Sequence, residues 1–380
     1  MVEGSRPSPQ SLVPVVRIPP PSALGYSMSL QLTKLASPRV SGYEEVWVAR
    51  DPDASYHAIL AIHNTQRGPA LGGTRLMRYA DDDAALTDVL RLARGMTYKC
   101  AAANIPLGGG KSVILEPPSG YDRAALLRAH GRAVESLNGR YVTSVDIGTG
   151  PVDMVTIRET TTHVTGLPNE LDDPSPVTAR GVVCAIEAAR YVRTTSRDLH
   201  GVRVVVQGCG HVGKALALQL HALGTRLIVS DVSRERAEAA AVACGAEVRR
   251  PDEIYDTEAD LYAPCATGAT LNARTIPRLK VSAVAGAANN QLETSADGDA
   301  LRTRGITYVP DFIANAGGAI YLCRVLARWT DAQTDAAVEA IFDSSVEVLR
   351  RAEQEGISAQ TAAERVVEAR LGISVPIVGE

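Results

Sequence analysis

An α/β protein of two domains is expected from three features of this sequence. The chain has 380 residues, long for one ordinary domain and comfortable for two. From residue 201 the run GVRVVVQGCGHVGKALALQLHALGTRLIVSD reads as strand, glycine turn, helix, strand. Short apolar runs then alternate with helical segments (ERAEAAAVACG, ADLYAPCA, VSAVAGAANNQL, GITYVPDFI), the mark of a parallel, doubly wound sheet. Composition excludes other classes. With 45% hydrophobic and 22% charged residues the chain is not disordered. No apolar run approaches the roughly 18 residues that span a bilayer. Its 39 Lys+Arg against 43 Asp+Glu lack the basic footprint of a nucleic-acid binder.

Along the chain, residues 1–27 are Pro/Ser-rich (SRPSPQ, RIPPPSALG), so a disordered extension is expected there. They lack the charged and apolar regions of a secretory signal. EEVWVARD and YHAILAIHN alternate apolar and polar residues, as paired strands do. GPALGGTR reads as a flexible apolar loop. In DDDAALTDVLRLARGMTYKCAAA, Leu86, Val89, Leu90, Leu92, Ala93 and Met96 recur at helical spacing between an acidic start and a basic end, which suits the helix dipole. The glycine cluster of PLGGGKSVILE should break that helix in a turn and lead into a strand. YDRAALLRAHGRAVESLNG is a second amphipathic helix and RYVTSVDIG a further strand. VTARGVVCAIEAARYVR reads as a helix entered through a threonine cap. The last segment is helical, with Arg and Glu interleaved, suited either to returning to the first half or to self-association. Residues 28–165 with 350–380 are expected to form one domain, and 166–349 the other.

Gly208, Gly210 and Gly213 form a G-x-G-x-x-G turn. It follows a β-run and opens a helix, as a dinucleotide fingerprint requires. The first glycine permits the turn, the second lets a pyrophosphate approach backbone, and the third lets helix pack on strand. His211 and Val212 complete the turn, and the next strand ends at Asp231. A carboxylate there accepts ribose hydroxyls and repels a 2′-phosphate, which favours NAD over NADP; Arg234 nearby weakens that preference.

Six cysteines lie singly, with no C-x-x-C pair. Buried thiols in a reducing cytoplasm are the plain reading. Five lysines (Lys34, Lys99, Lys111, Lys214, Lys280) leave 34 of the 39 basic residues as arginine. Lysine can be deprotonated when buried and arginine cannot, so Lys99 and Lys111, twelve residues apart, are either survivors of codon bias or sites that need a titratable amine. Lys99 at its helix end is also explained by the dipole. Lys111, after three glycines, can sit desolvated in a cleft with a lowered pKa. Asp146 ends a strand before a glycine turn, where acids are common for turn geometry alone.

Taken as a set, GPALGGTR, ARGMTYKCA, LGGGKSVI, VDIGT, SPVTARG, GCGHVG, GAANNQL and PDFIANAGGAI resemble the motifs of the Glu/Leu/Phe/Val dehydrogenases, and the leucine, valine and phenylalanine branch more than the glutamate enzymes. The resemblance runs in order from about Gly42 to about Leu322. It implies an N-terminal α/β substrate and oligomerisation domain followed by a Rossmann domain. It implies NAD-dependent, reversible oxidative deamination of an apolar L-amino acid to the 2-oxo acid and ammonia, by a cytoplasmic homo-oligomer without metal. By the same resemblance Lys99 binds the substrate carboxylate, with Gly72 and Gly73 lining that site. Lys111 activates water, and Asp146 shuttles amine protons. Thr178 and Asn289 meet the nicotinamide end, and Leu71, Ser144, Ala319 and Leu322 face the substrate side chain. Glutamate-specific members carry lysine where Leu71 stands.

The chain departs from the family pattern at Val145 (usually Glu), at Gly150-Pro151-Val152-Asp153-Met154 (commonly TVEDM) and at Arg180 (commonly aromatic). These departures are expected beside the site. Competing readings are a hydroxy-acid dehydrogenase, which would use a histidine, a catalytically silent NAD-binding regulator, and a biosynthetic enzyme for an aromatic amino acid.

Overall fold

The computed structural model describes residues 29–372; the extension expected over 1–27 and the stretch 373–380 lie outside the described residues. The first half contains β1 (Gln31–Lys34), β2 (Glu45–Asp51), β3 (Tyr56–Asn64), β4 (Ala70–Met77), α1 (Asp82–Ala102), β5 (Gly108–Leu115), α2 (Arg123–Glu135), β6 (Tyr141–Val145) and α3 (Pro151–Arg158). Its six-stranded sheet has the order β1-β2-β3-β5-β4-β6. β2 and β3 pair antiparallel as expected, while β4 runs parallel to both β5 and β6.

Two glycine-rich segments differ from expectation. GPALGGTR is not a loop but supplies β4, and the three glycines before Lys111 lie inside β5 rather than in a turn. The reason is close packing. A Cβ on Gly109 would lie 2.0 Å from the Thr97 nitrogen of α1, and one on Gly72 would lie 1.8 Å from the Gly110 carbonyl oxygen. Side chains here would push helix from sheet and strand from strand, so glycine serves contact rather than turning. The β4–β5 ladder pairs Leu71 with Gly109 and resumes at Thr74 with Ser112. Beneath this interruption lies a buried polar network. Tyr141 donates to the Gly72 carbonyl at 2.6 Å, and the Thr74 hydroxyl meets His130 Nε2 at 2.8 Å. The other His130 nitrogen meets Tyr56 at 2.9 Å, and burial pushes the imidazole pKa down to about 3. That ring is neutral and structural.

A long helix, α4 (Ser175–Thr194), opens the second half. It begins before Thr178, whose hydroxyl donates back to the Pro174 carbonyl at 3.0 Å, so Thr178 is not the cap. Proline at the start of the helix sets the entry instead. There follow β7 (Arg203–Gln207), α5 (His211–Ala222), β8 (Arg226–Ser230), α6 (Arg234–Cys244), β9 (Glu247–Val248), β10 (Leu261–Pro264), β11 (Ala283–Val284), α7 (Ala296–Thr303), β12 (Thr307–Tyr308), α8 (Asp311–Ala314), α9 (Gly317–Leu326), α10 (Asp331–Glu355) and α11 (Ala359–Leu371). The sheet order is β12-β11-β10-β7-β8-β9, parallel throughout. This is the doubly wound sheet expected from the alternating pattern, with its strand order reversing beside β7.

α10 packs on α4, and α11 reaches back to α1 of the first half. Tyr98 donates to Glu368 at 2.8 Å, and Arg370 donates to the Ala102 carbonyl at 2.9 Å. The connection into α4 is held by Glu170, whose carboxylate accepts from the Gly166 amide at 2.6 Å and the Thr165 hydroxyl at 2.8 Å. No described helix is long and apolar enough to cross a membrane.

Candidate active site

The edges of β4, β5 and β6 and the last turn of α1 converge on one cleft against the second domain. Lys111 projects from the middle of β5 and is 4% exposed. It contacts Asp146 Oδ2 directly, and Asp146 Oδ1 accepts from Arg75 Nε at 2.9 Å. Arg75 also holds Asp88 Oδ2 at 2.9 Å, and Tyr79 donates to the same oxygen at 2.8 Å. Burial raises the Asp146 pKa, but the Lys111 and Arg75 cations outweigh it and hold the carboxyl below its ordinary range. The Lys111 pKa is lowered, chiefly by burial, with Arg75 adding repulsion and Asp146 opposing. The Lys99 amine is also pushed down by burial, and it donates across the cleft to Asn289 Oδ1 at 3.0 Å. Lys99 is thus not a solvated helix end.

A cavity of about 580 Å³ brings together Leu71, Gly72, Gly73, Lys99, Lys111, Ser144, Asp146, Thr178, Val212, Asn289, Ala319 and Leu322. Val145, Pro151, Leu167 and Leu171 extend its rim. Leu71 is 1% exposed and Ala319 8%, so an apolar wall stands beside the cationic floor. The remaining sequence-derived residues, Gly208, Gly210, His211, Gly213 and Asp231, lie on the β7–α5 turn and the end of β8, outside the cavity lining.

Those turn residues fit a dinucleotide. Gly208 has φ +98°, and a Cβ on Gly213 would lie 1.9 Å from the Gly208 carbonyl oxygen. Gly210, at the start of α5, has no atom within 4 Å of where its Cβ would be, leaving the helix N-terminus open to a phosphate. Asp231 accepts from the Cys209 amide and the Ser233 amide, each at 2.8 Å. Buried in the cleft, the Asn315 side-chain oxygen has no partner while its nitrogen donates to Asn289 at 2.9 Å. It is an acceptor left for a donor such as a carboxamide.

Sequence reasoning missed several neighbours. Arg75 stands two residues beyond Gly73 on the same strand, so period-two alternation alone puts it on the face of Asp146. Asp231 is paired with Arg236, Nη2 to Oδ1 at 2.7 Å, whereas Arg234 turns away to Glu238. Arg180 is a correction of another kind. It pairs with Glu339 of α10 and lines neither the cavity nor its rim. Val145 does line the cavity, and Asp153 of the altered segment is clamped by Arg123 at 2.9 Å. Among the described residues no group of His, Cys, Asp and Glu could hold a metal ion.

Comparison with known proteins agrees with this geometry. Residues 44–163 match the model of the Glu/Leu/Phe/Val dehydrogenase dimerisation domain, and residues 229–371 that of Glutamate/Leucine/Phenylalanine/Valine dehydrogenase. The chain is 44% identical to a leucine dehydrogenase from Bacillus cereus over 332 residues, covering 87% of this chain and 91% of the other. It is 44% identical to an L-tryptophan dehydrogenase from Nostoc punctiforme over 337 residues, covering 88% and 95%. The crystal structure of L-tryptophan dehydrogenase from Nostoc punctiforme superposes with a TM-score of 0.79, at 42% identity, over 87% of this chain and 96% of that one. With the glycine turn and the buried Lys111–Asp146 pair in place, the chain belongs to the Glu/Leu/Phe/Val dehydrogenase family and is an NAD-dependent amino acid dehydrogenase.

Proposed function

We propose that the protein oxidises an apolar L-amino acid, branched aliphatic or aromatic, to its 2-oxo acid and ammonia, and runs the reverse amination. The observation that carries this reading is the placing of Lys99, Lys111 and Asp146 on the floor of a cavity whose adjoining wall is Leu71, Ala319 and Leu322. Lys99 holds the carboxylate, with Gly72 and Gly73 admitting it close to backbone, and so fixes Cα. A side chain ending in a carboxylate would meet Leu71 with no cation, which costs several kcal/mol. Asp146 takes a proton from the substrate ammonium group. The Gly208–Gly213 turn and Asp231 would hold NAD, which would supply the oxidant for hydride loss from the Cα that Lys99 positions. Water then adds to the iminium carbon as Lys111 removes its proton. The carbinolamine nitrogen is protonated through Asp146, the C–N bond breaks, and the hydroxyl proton passes to the departing ammonia, which gives the carbonyl and leaves the Lys111 proton for solvent.

Retention of this set, with Lys111 and Asp146 paired, supports turnover over a silent dinucleotide-binding role. Among the described residues no histidine lines either cavity beside Lys111 and Asp146, which leaves a hydroxy-acid mechanism without its histidine. We place the domain boundary at 165/166 with 350–380 returned to the first domain, a division supported by α11 on α1. The match to a dimerisation domain supports a homo-oligomer. Six unpaired thiols support a cytoplasmic setting, and the charge balance gives no footing for nucleic acid. The test is a panel of L-amino acids with NAD⁺, read as NADH absorbance: leucine, valine, phenylalanine or tryptophan should turn over, and glutamate and aspartate should not. Preference for glutamate would overturn the reading.

A further inference from the structure

A second cavity, of about 380 Å³, meets the first at the reacting groups. The two share Met96, Lys99, Lys111, Asp146 and Asn289, but the second includes none of the apolar wall. It leads instead between α1, the Asn290–Ser295 segment and α11, past Arg91, Arg94, Gly95, Glu293, Ser295 and Glu364. Its charges are largely matched. Arg75 and Arg91 face Asp88 at 2.9 and 3.4 Å, and Arg94 donates to Tyr98 at 2.8 Å with Glu364 at 3.9 Å.

The reaction moves three things at Cα: a hydride, water and ammonia. With the amino acid against the apolar wall and the dinucleotide along Thr178, Val212 and Asn289, the first cavity is filled from both sides. Water and ammonia need a path to Lys111 and Asp146 that neither partner blocks. We propose that the second cavity is the route by which ammonia and water pass between solvent and the Lys111–Asp146 pair; this rests on the function proposed above. Apart from Lys99, which holds the substrate carboxylate at the inner end, the paired cations leave hydrogen-bond donors and acceptors for a small polar molecule and little to retain a second carboxylate. Its lining mixes apolar Leu92, Met96, Leu292 and Phe312 with these charged groups, and its smaller volume suits small molecules better than an amino acid side chain. Ammonia and water, each donor and acceptor, have partners in the exposed Arg91 and Glu293 and in Lys99, Lys111 and Asp146 at the inner end.

The test narrows this route from opposite walls. Gly95 on α1 is exposed, and a Cβ there meets no atom within 4 Å, so Gly95→Phe projects a ring without displacing backbone. Ser295 precedes α7 and makes no side-chain cap bond, so Ser295→Trp does the same from the other domain. Initial rates of reductive amination are measured with ammonium varied at saturating 2-oxo acid and NADH, then with each of those varied. The KM for ammonium should rise about fivefold or more in both variants while those for oxo acid and NADH stay within about twofold. Melting temperatures identify a variant that has lost its fold, and the other then decides. An unchanged ammonium KM in a folded variant, or an equal rise for the oxo acid, overturns the route. Wild-type protein that aminated no apolar 2-oxo acid would instead overturn the function on which it rests.

Discussion

Arg75→Met removes a cation from the centre of the site while keeping most of the side-chain volume. Arg75 and Lys111 hold opposite oxygens of the Asp146 carboxylate, which puts the two cations roughly 6 Å apart and their repulsion at about 3 kcal/mol for an effective dielectric near 20. Asp88 cancels part of this, since it binds the same guanidinium. A net repulsion remains. The sign follows from which form Arg75 disfavours. It opposes the charged form of Lys111 and so lowers its pKa; without it the pKa rises and the neutral base is scarcer at any given pH. The alkaline limb of the deamination rate should therefore move to higher pH. Asp146 also loses a charge-assisted hydrogen bond worth about 1.5–3 kcal/mol, so the plateau rate should fall about tenfold or more. Arg75→Lys retains the charge without the fork. It should keep the wild-type limb and lower only the plateau. The assay is kcat against pH from about 7 to 11. Profiles of Arg75→Met and wild type that superimpose would refute a positioning and electrostatic role for Arg75.

Lys111→Ala should lose turnover while NAD binding, followed by fluorescence titration of NADH, stays near wild type; near-wild-type turnover removes Lys111 from the mechanism. Ala319→Val adds two methyl groups to the cavity wall and should shift relative kcat/KM toward valine and leucine over phenylalanine, by about tenfold at most; unchanged ratios mean Ala319 does not meet the side chain. Gly109→Ala places a methyl 2.0 Å from the Thr97 nitrogen and should cost about 3 kcal/mol or more, read as a fall in the denaturant midpoint. Wild-type stability in that variant would deny that glycine is needed for α1 to lie on β5.

The elements that sequence reasoning placed well are those whose signals are local. The acidic start and basic end of α1 and the β-run, turn and helix at Gly208 need only neighbouring residues to be read. GPALGGTR and GGGK failed for the opposite reason. Glycine is a turn former by itself, and only the contact of Gly72 with Gly110 and of Gly109 with Thr97 makes it a strand residue here. The site residues had a similar split. Lys111 and Asp146 were legible as candidates, but their pairing needs β5 and β6 on either side of β4. Arg236 was passed over for Arg234 because sequence proximity to Asp231 favours the nearer arginine. The helical turn beginning at Arg234 carries that side chain away to Glu238 and brings Arg236 back.

Five lysines in 380 residues also make this protein selective toward amine-directed chemistry. Lys34, Lys214 and Lys280 are exposed at the surface, within reach of reagents of any size. Lys99 and Lys111, with their pKa values lowered by burial, present more free amine at the same pH. A small acylating reagent that enters the cleft should therefore modify the site first and be excluded by bound substrate. A bulky one, or an activated resin, is confined among the five lysines to the three outlying ones, and would tether the enzyme with its cleft untouched.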